Sequence, residues 1–272
     1  MTLNLKKFDL RKISDDSTVV FVSKRRGGKS TLVKNILWHH QDMPIATIIS
    51  TTEPANRFFG DIVPSLFIHD KITPCLLENV VKRQKIIKKK MDKETRRSGH
   101  TNIDPRALLV MDDCLYDKSW INNENIREIF MNGRHWNIFF MLTMQYPLGI
   151  PPVLRANIDF VFIGRENNVN NRKRIYDNYA SMFPTFEMFC SVMDQCTENY
   201  EFLVVQVNSD SNRLQDQVFW YKAVDKGNFK LGAKEFWDAH KENYDDDDEE
   251  DEMFDASQYQ KKKHHLSVNK KH

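Results

Sequence analysis

The chain has 272 residues, which is long enough for one full α/β domain with its own core. It is 40% hydrophobic, with 18 Phe and 5 Trp, and no apolar run approaches the ~20 residues that a membrane span requires. This composition is typical of a folded soluble protein and excludes a transmembrane one. The first twelve residues alternate basic and apolar side chains without the apolar core of a secretory signal, so we expect a cytosolic location. Four scattered cysteines predict reduced thiols rather than a disulfide framework.

Charge is distributed unevenly along the chain. The formal net charge is +2, but the segment from Asp245 to the end contains nine acids and five lysines, which leaves +6 for the body. Charge runs of low complexity cannot bury enough apolar surface to fold. We therefore predict one domain over 1–243 and a disordered acidic and basic tail over 244–272. A mildly basic body is compatible with a polyanionic partner.

The first half of the chain alternates short apolar runs with segments of helical spacing. The predicted elements are a strand over 17–23, a helix over 29–40, strands over 45–50 and 66–69, a helix over 76–93, a strand over 108–111 and a helix over 123–131. Gly133 is the expected left-handed cap of that last helix.

The second half continues the alternation and ends in a hairpin. We predict strands over 137–144 and 158–163, one or two helices within 171–193, and an antiparallel pair over 202–207 and 217–221 at the sheet edge. Strands that alternate with helices predict a doubly wound α/β sandwich with a mostly parallel central sheet.

A phosphate-binding motif follows the first strand. The P-loop pattern asks for Gly, four residues and Gly-Lys-Ser/Thr, and residues 23–30 match it except that Ser23 replaces the first glycine. The backbone amides of such a loop surround the β-phosphate, the lysine lies between the β- and γ-phosphates, and the hydroxyl coordinates Mg²⁺. The predicted ATP-binding residues are Arg26, Gly27, Gly28, Lys29, Ser30 and Thr31.

Two acids after the 108–111 strand complete the predicted site. A strand beside the P-loop strand would deliver Asp112 to the Mg²⁺ shell, together with Ser30. Asp113 is placed to polarise the attacking water as general base.

Chain order also indicates the type of P-loop sheet. The 45–50 strand, with 66–69 as a further candidate, lies between the P-loop helix and Asp112 along the chain, so at least one strand is available to insert between the P-loop strand and the acidic strand. This is the arrangement of the additional-strand ATPases, in which the strand after the acidic one ends in a polar sensor. Here that residue is Gln145, whose amide could contact the γ-phosphate or the water.

An arginine usually stabilises the transition state of phosphoryl transfer. Arg134, Arg155 and Arg165 lie near predicted strand ends, and the sequence does not choose among them. We favour Arg155, acting as a finger on an adjacent subunit.

Four segments resemble the genome-packaging ATPases of large double-stranded DNA viruses, which are poxvirus-type members of the FtsK/HerA branch. They are KRRGGKST, LLVMDDC, NGRHWNIFFMLTMQY and IPPVLRANIDFVFIGRE, and the resemblance covers roughly 17–221. It implies a homo-oligomeric ring that translocates DNA into a preformed capsid, with capsid or portal components as partners, in the virion or the host cytoplasm. By position, Lys29 and Ser30 match the phosphate motif, and Asp113 stands where many relatives of the wider superfamily have Glu.

A basic segment is the candidate DNA contact. Residues 82–97 contain nine basic and two acidic side chains, a net charge of +7. Such a segment could follow DNA phosphates, releasing counterions, although a solvated helical face is an equally good interpretation.

Two other classes of function use the same motif. One is a small-molecule or nucleotide kinase, which needs an acceptor pocket and a mobile lid; the acid pair and the Gln145 strand argue against it. The other is a virion switch protein that binds ATP without stepping along DNA.

Overall fold

The computed structural model describes residues 3–114, 120, 122–147 and 150–243. Its strands are β1 (Lys6–Lys7), β2 (Thr18–Val22), β3 (Ala46–Ser50), β4 (Ile68–His69), β5 (Ala107–Asp112), β6 (Ile138–Met144), β7 (Phe160–Ile163), β8 (Glu201–Gln206) and β9 (Val218–Lys222). Its helices are α1 (Lys29–His39), α2 (Glu53–Asn56), α3 (Pro74–Ser98), α4 (Glu124–Asn132), α5 (Pro152–Arg155), α6 (Val169–Tyr179), α7 (Phe186–Cys196), α8 (Leu214–Gln217) and α9 (Lys234–Asn243). Within this part of the chain, no helix combines the length and the apolar character that a membrane span needs.

The strands form one sheet in the order β1-β9-β8-β7-β2-β6-β5-β3-β4. The six strands from β7 to β4 are parallel, whereas β8 pairs antiparallel with both β7 and β9. The carboxyl ends of the parallel strands therefore share one edge of the sheet, and the amino end of β8 lies at that same edge.

Central strands are buried on both faces, which explains their continuous apolar runs. In β2, Val20 and Val22 belong to the apolar cluster that includes residues of α3, α4, α6 and α7, while Val19 and Phe21 belong to a second cluster with residues of α1 and α9. Two apolar layers thus enclose the sheet, as a doubly wound sandwich requires.

The predicted fold class is confirmed, as is the antiparallel hairpin formed by β8 and β9. The single predicted segment 171–193 contains two helices, α6 and α7. The short strand β1 and the terminal helix α9 were not predicted from the sequence. The predicted tail, 244–272, lies outside the described residues.

Two local predictions are wrong. Gly133 is not a left-handed cap, because its φ of −53° and ψ of −40° are right-handed; the chain continues into a 3₁₀ turn over Gly133–Trp136, and Asn137, with φ 54°, makes the left-handed turn. The strand inserted between the P-loop strand and the acidic strand is β6, not β3, which lies on the far side of β5. The acidic strand is consequently one strand removed from the P-loop strand.

Candidate nucleotide site

The glycine turn connects the central strand to the first long helix. β2 ends at Val22 and α1 begins at Lys29, so the intervening residues lie at the carboxyl edge of the sheet. Gly28 caps the helix with a left-handed φ of 85° and no side-chain cap, and Arg26 is also left-handed at φ 58°. The first amides of a helix have no partner within the helix, so here they are free to bind an anion. Ser30 and Thr31 are exposed in that first turn.

Ser23, which replaces the first glycine of the motif, packs against two other glycines. A Cβ added to Gly27 would lie 2.1 Å from Ser23 Oγ, and one added to Gly164 would lie 2.3 Å from the same atom. Ser23 itself is buried. The side chain that the motif normally lacks therefore occupies space that Gly27 and Gly164 leave open.

Lys29 is buried at the centre of the site, with 7% of its surface exposed. Its Nζ donates to the carbonyl oxygen of Ser23 at 2.6 Å and lies 3.6 Å from Asp113 Oδ2. Burial lowers the pKa of Lys29, and the charges of Asp113 and Asp112 oppose that shift. The ammonium thus lies between the glycine turn and the acid pair.

Asp112 lies in a row of polar side chains across three strands. Ser50, Asp112 and Thr143 are paired in the parallel register. Thr143 Oγ1 donates to Asp112 Oδ1 at 2.7 Å, and Ser50 Oγ donates to Asp112 Oδ2 at 3.2 Å. Burial raises the pKa of Asp112 and the charge of Asp113 adds to the rise, while the two hydroxyl donors and Lys29 act in the opposite direction. These contacts orient the carboxylate.

Sequence reasoning missed Ser50 and Thr143. A signal was present, because each is the polar residue at or next to the carboxyl end of a buried apolar run. Parallel strands bring such residues to one edge.

Asp113 and Gln145 form a hydrogen-bonded chain that reaches the glycine turn. Asp113 is left-handed, with φ 48°, and its Oδ2 accepts from Gln145 Nε2 at 2.6 Å. Gln145 Oε1 in turn accepts from Arg25 Nε at 3.0 Å. The structure thus brings Lys29, Asp112, Asp113 and Gln145 together, while the catalytic roles predicted for them stay predictions.

The three candidate arginines are divided between the two edges of the sheet. Arg155, at the end of α5, donates to Asn178 near the carboxyl end of α6, on the side where β7 begins. Arg134 pairs with Asp159 at 2.5 Å on that same amino edge. Arg165 follows β7 at the edge that carries the glycine turn. Arg155 therefore does not join the Lys29 site of its own chain, and its predicted role on a neighbouring subunit stays a prediction.

The residues present fit a magnesium–triphosphate group. Among the residues that the structure describes, no group of three or more His, Cys, Asp or Glu could hold a metal by itself. Mg²⁺ is commonly bound by one or two carboxylates together with water and substrate phosphates, so this absence does not conflict with a nucleotide-bound ion. Ser30 and Asp112 would supply the protein ligands.

The basic segment belongs to a long helix whose far end leaves the domain body. α3 has 25 residues, and its buried residues are Leu77, Val81 and Gln84. Residues 85–98 contain no buried side chain. At the rise of an α-helix, this stretch is about 20 Å long. We call residues 85–98 the basic arm. Two of its lysines bond to the body, Lys85 to Glu128 at 2.6 Å and Lys88 to Asn137 at 3.0 Å.

Comparison with curated proteins finds viral relatives along most of the chain. Protein L437 of Acanthamoeba polyphaga mimivirus is 41% identical over 241 residues, which cover 88% of this chain and 84% of that protein. Protein 075L of Invertebrate iridescent virus 6 is 35% identical over 234 residues, which cover 85% and 87%. No protein-family model matches the chain.

Comparison with solved structures identifies the fold. The genome packaging NTPase B204 of Sulfolobus turreted icosahedral virus 2, in complex with AMP, has a TM-score of 0.52 at 17% identity and covers 78% of this chain and 99% of that chain. The pCW3 conjugation coupling protein TcpA, in monomer form with ATPgS, also has a TM-score of 0.52, at 13% identity, and covers 82% and 70%. The fold-level part of the resemblance to packaging ATPases is confirmed. The chain therefore belongs to the family of viral proteins that includes mimivirus L437 and iridescent virus 075L, and it has a P-loop NTPase fold.

Proposed function

We propose that this protein is an ATP-hydrolysing motor that moves double-stranded DNA during viral genome packaging. The observation that carries the proposal is the convergence of Lys29, Asp112, Asp113 and Gln145 at the carboxyl edge of the sheet. The protein's viral family and its structural similarity to a genome packaging NTPase support the same proposal. Neither of these alone would define a reaction, because one fold can carry many activities.

The chemistry follows from the residues that converge. The amides of the first turn of α1 and the Lys29 ammonium neutralise phosphate charge, and Ser30 and Asp112 would hold Mg²⁺. Bound there, Mg²⁺ would neutralise negative charge on the phosphates of the nucleotide. Asp113 accepts the proton of the attacking water, and Gln145, which already bonds Asp113, orients that water.

Two further parts belong to the motor proposal. A homo-oligomeric ring would bring Arg155 of one subunit to the phosphates of its neighbour, and a capsid or portal component would anchor the ring. The exposed positive charge of the basic arm supports contact with DNA phosphates, because cations that neutralise phosphates release counterions.

The nucleotide part of the proposal is tested by Lys29→Ala. We expect loss of ATP turnover, since this ammonium is the charge buried closest to the acid pair. Lys34→Ala is a matched control on the same helix, because the ion pair of Lys34, 3.9 Å to the exposed Asp225, does not involve the acid pair. Turnover at the wild-type rate in the Lys29 variant would rule out the assignment.

The DNA part is tested separately with linear duplex DNA. Wild-type ATPase should be stimulated, and the stimulation should weaken with salt. Lys89→Glu/Lys90→Glu changes two exposed lysines of the basic arm and should reduce stimulation while leaving basal turnover unchanged. Charge reversal of Lys226 and Lys230, which are remote from the arm in sequence, is the control. Equal stimulation of the arm variant and the wild type would remove the arm as the DNA contact.

A further inference from the structure

We propose that Tyr200 forms the nucleobase subsite of this protein by stacking its phenol ring on the base of the bound nucleotide. The inference rests on the proposed function, because it requires a triphosphate on the glycine turn. It adds a residue that lies far from every nucleotide motif in the sequence.

The orientation of the bound nucleotide follows from which residues lie on each side of the P-loop strand β2. The acid pair and Gln145 end strands β5 and β6, which lie on one side of the P-loop strand β2. Groups that act on the γ-phosphate lie there, so the α-phosphate, ribose and base extend toward the other side. On that side the sheet continues with β7 and β8.

Tyr200 is the residue immediately before β8, which runs opposite to β7. Leu203 pairs with Ile163 at the end of β7, so Tyr200 lies beyond that end, at the edge with the glycine turn. Its ring atom Cδ1 lies 3.3 Å, and its Cβ 3.4 Å, from the position that a Cβ on Gly28 would occupy. The ring thus borders the phosphate-binding loop directly.

The backbone holds this ring outward. Tyr200 is 66% exposed, although it packs against the loop. It has φ 63° and follows Asn199 with φ 50°, which makes two consecutive left-handed residues without a glycine. A bulky residue rarely adopts this conformation, and such backbone is concentrated at ligand sites. Phe202, two residues later, is fully buried beneath the same glycine and fixes the start of the strand.

An exposed aromatic face beside a phosphate loop matches the chemistry of a base. Every base has a π-face, and aromatic side chains bind it by stacking without reading its hydrogen-bonding edge. Stacking depends on ring overlap, so purines gain more than pyrimidines. The proposed ligand class is therefore a purine nucleoside triphosphate.

The experiment compares two ligands in the wild type and two variants. Affinities for Mg-ATP and for inorganic tripolyphosphate are measured by calorimetry in wild type, Tyr200→Ala and Tyr200→Phe. We expect Tyr200→Ala to bind ATP roughly tenfold more weakly, within the range measured for base–aromatic stacking. Its tripolyphosphate affinity should stay within about twofold, because that ligand has no base. Tyr200→Phe keeps the ring and should bind both ligands as the wild type does.

The outcomes separate this inference from the proposed function. Equal weakening of both ligands would show that the ring only supports the glycine turn, and unchanged ATP affinity would show that it does not touch the base; either result overturns the inference. A wild-type protein that binds neither ligand refutes the nucleotide site itself. If thermal melting shows that Tyr200→Ala is unfolded, Tyr200→Leu keeps apolar packing without a π-face and gives the same comparison.

Discussion

Replacement of Gly164 by Ala tests how the glycine turn accommodates Ser23. The new Cβ would lie 2.3 Å from Ser23 Oγ, 2.6 Å from Ser23 Cβ and 3.0 Å from Phe202 Cε1. Ser23 and Phe202 are both buried, so neither can move into solvent. The contact is steric and does not depend on an unusual backbone conformation.

The expected magnitude follows from these distances. Extra volume in a packed core typically costs about 1–3 kcal/mol, and contacts this short in a buried site put Gly164→Ala near ~2 kcal/mol. Ser23→Gly alone should cost about 1 kcal/mol or less, from the added freedom of the unfolded chain. In the double variant the two contacts with Ser23 are absent, while the contact with Phe202 at 3.0 Å remains. The two changes should therefore couple favourably by about 1–2 kcal/mol.

The assay is urea unfolding of wild type, both single variants and the double variant, with ATP turnover measured in parallel. Turnover should fall in Gly164→Ala and recover in part in the double variant. Gly133→Ala is the matched control, because a Cβ there meets nothing closer than 3.8 Å and its backbone is right-handed. That control should not destabilise the protein and should raise the free energy of unfolding by about 0.4–1 kcal/mol, because alanine fits this backbone and reduces the freedom of the unfolded chain.

Strict additivity of the two changes would refute the reasoning, since it would mean that Ser23 and the new methyl group do not compete for space. A Gly164→Ala protein as stable as the wild type would refute it as well.

Three other predictions address the remaining contacts. Thr143→Val removes a donor to Asp112, so roughly tenfold lower kcat/KM and a higher Mg²⁺ requirement are expected in a metal titration; an unchanged requirement would contradict the orienting contact. Gln145→Ala should lower kcat by about 10- to 100-fold with ATP affinity almost unchanged, because general acid–base positioning acts mainly in the transition state; equal losses in kcat and affinity would indicate a binding role instead. Burial alone would raise the pKa of Asp15, but hydrogen bonds from Arg106 and His40 hold that pKa below its usual value. The ionised Asp15 therefore stabilises the folded protein above about pH 4, and this contribution is lost as the pH falls through the lowered pKa. Arg106→Gln should cost about 1 kcal/mol at pH 7 and less at pH 3 in urea unfolding, after allowance for solvent screening, and a constant difference would contradict this.

The central elements could be predicted because their signals are local. β2, β5 and β6 are buried on both faces, so each forms an uninterrupted apolar run, and α1 follows a glycine pair with helical spacing. The two acids could be placed for the same reason, since they come directly after such a run, whereas the P-loop lysine could be placed from the glycine pair before it.

Strand order and contacts between strands were harder to predict from the sequence. The apolar sequences of β3 and β6 do not show which of the two strands lies beside β2. Strand order depends on the connections between strands and on packing between residues far apart in the chain. The two-residue strands β1 and β4 are too short to show any period. Gly133 was misassigned because a glycine after a helix usually caps it, whereas here the chain tightens into a 3₁₀ turn and Asn137 takes the left-handed position.

The row formed by Ser50, Asp112 and Thr143 has a consequence for how the protein matures during synthesis. Its three members come from strands that are widely separated along the chain, and β2 meets β6 only across a still longer separation. Pairing over such separations is slow compared with local structure. A nascent chain that has exposed only its glycine turn and first helix therefore lacks the oriented carboxylate. The complete arrangement forms only after the β6 strand has left the ribosome and joined the sheet, so the proposed nucleotide chemistry requires a chain whose central fold is already assembled.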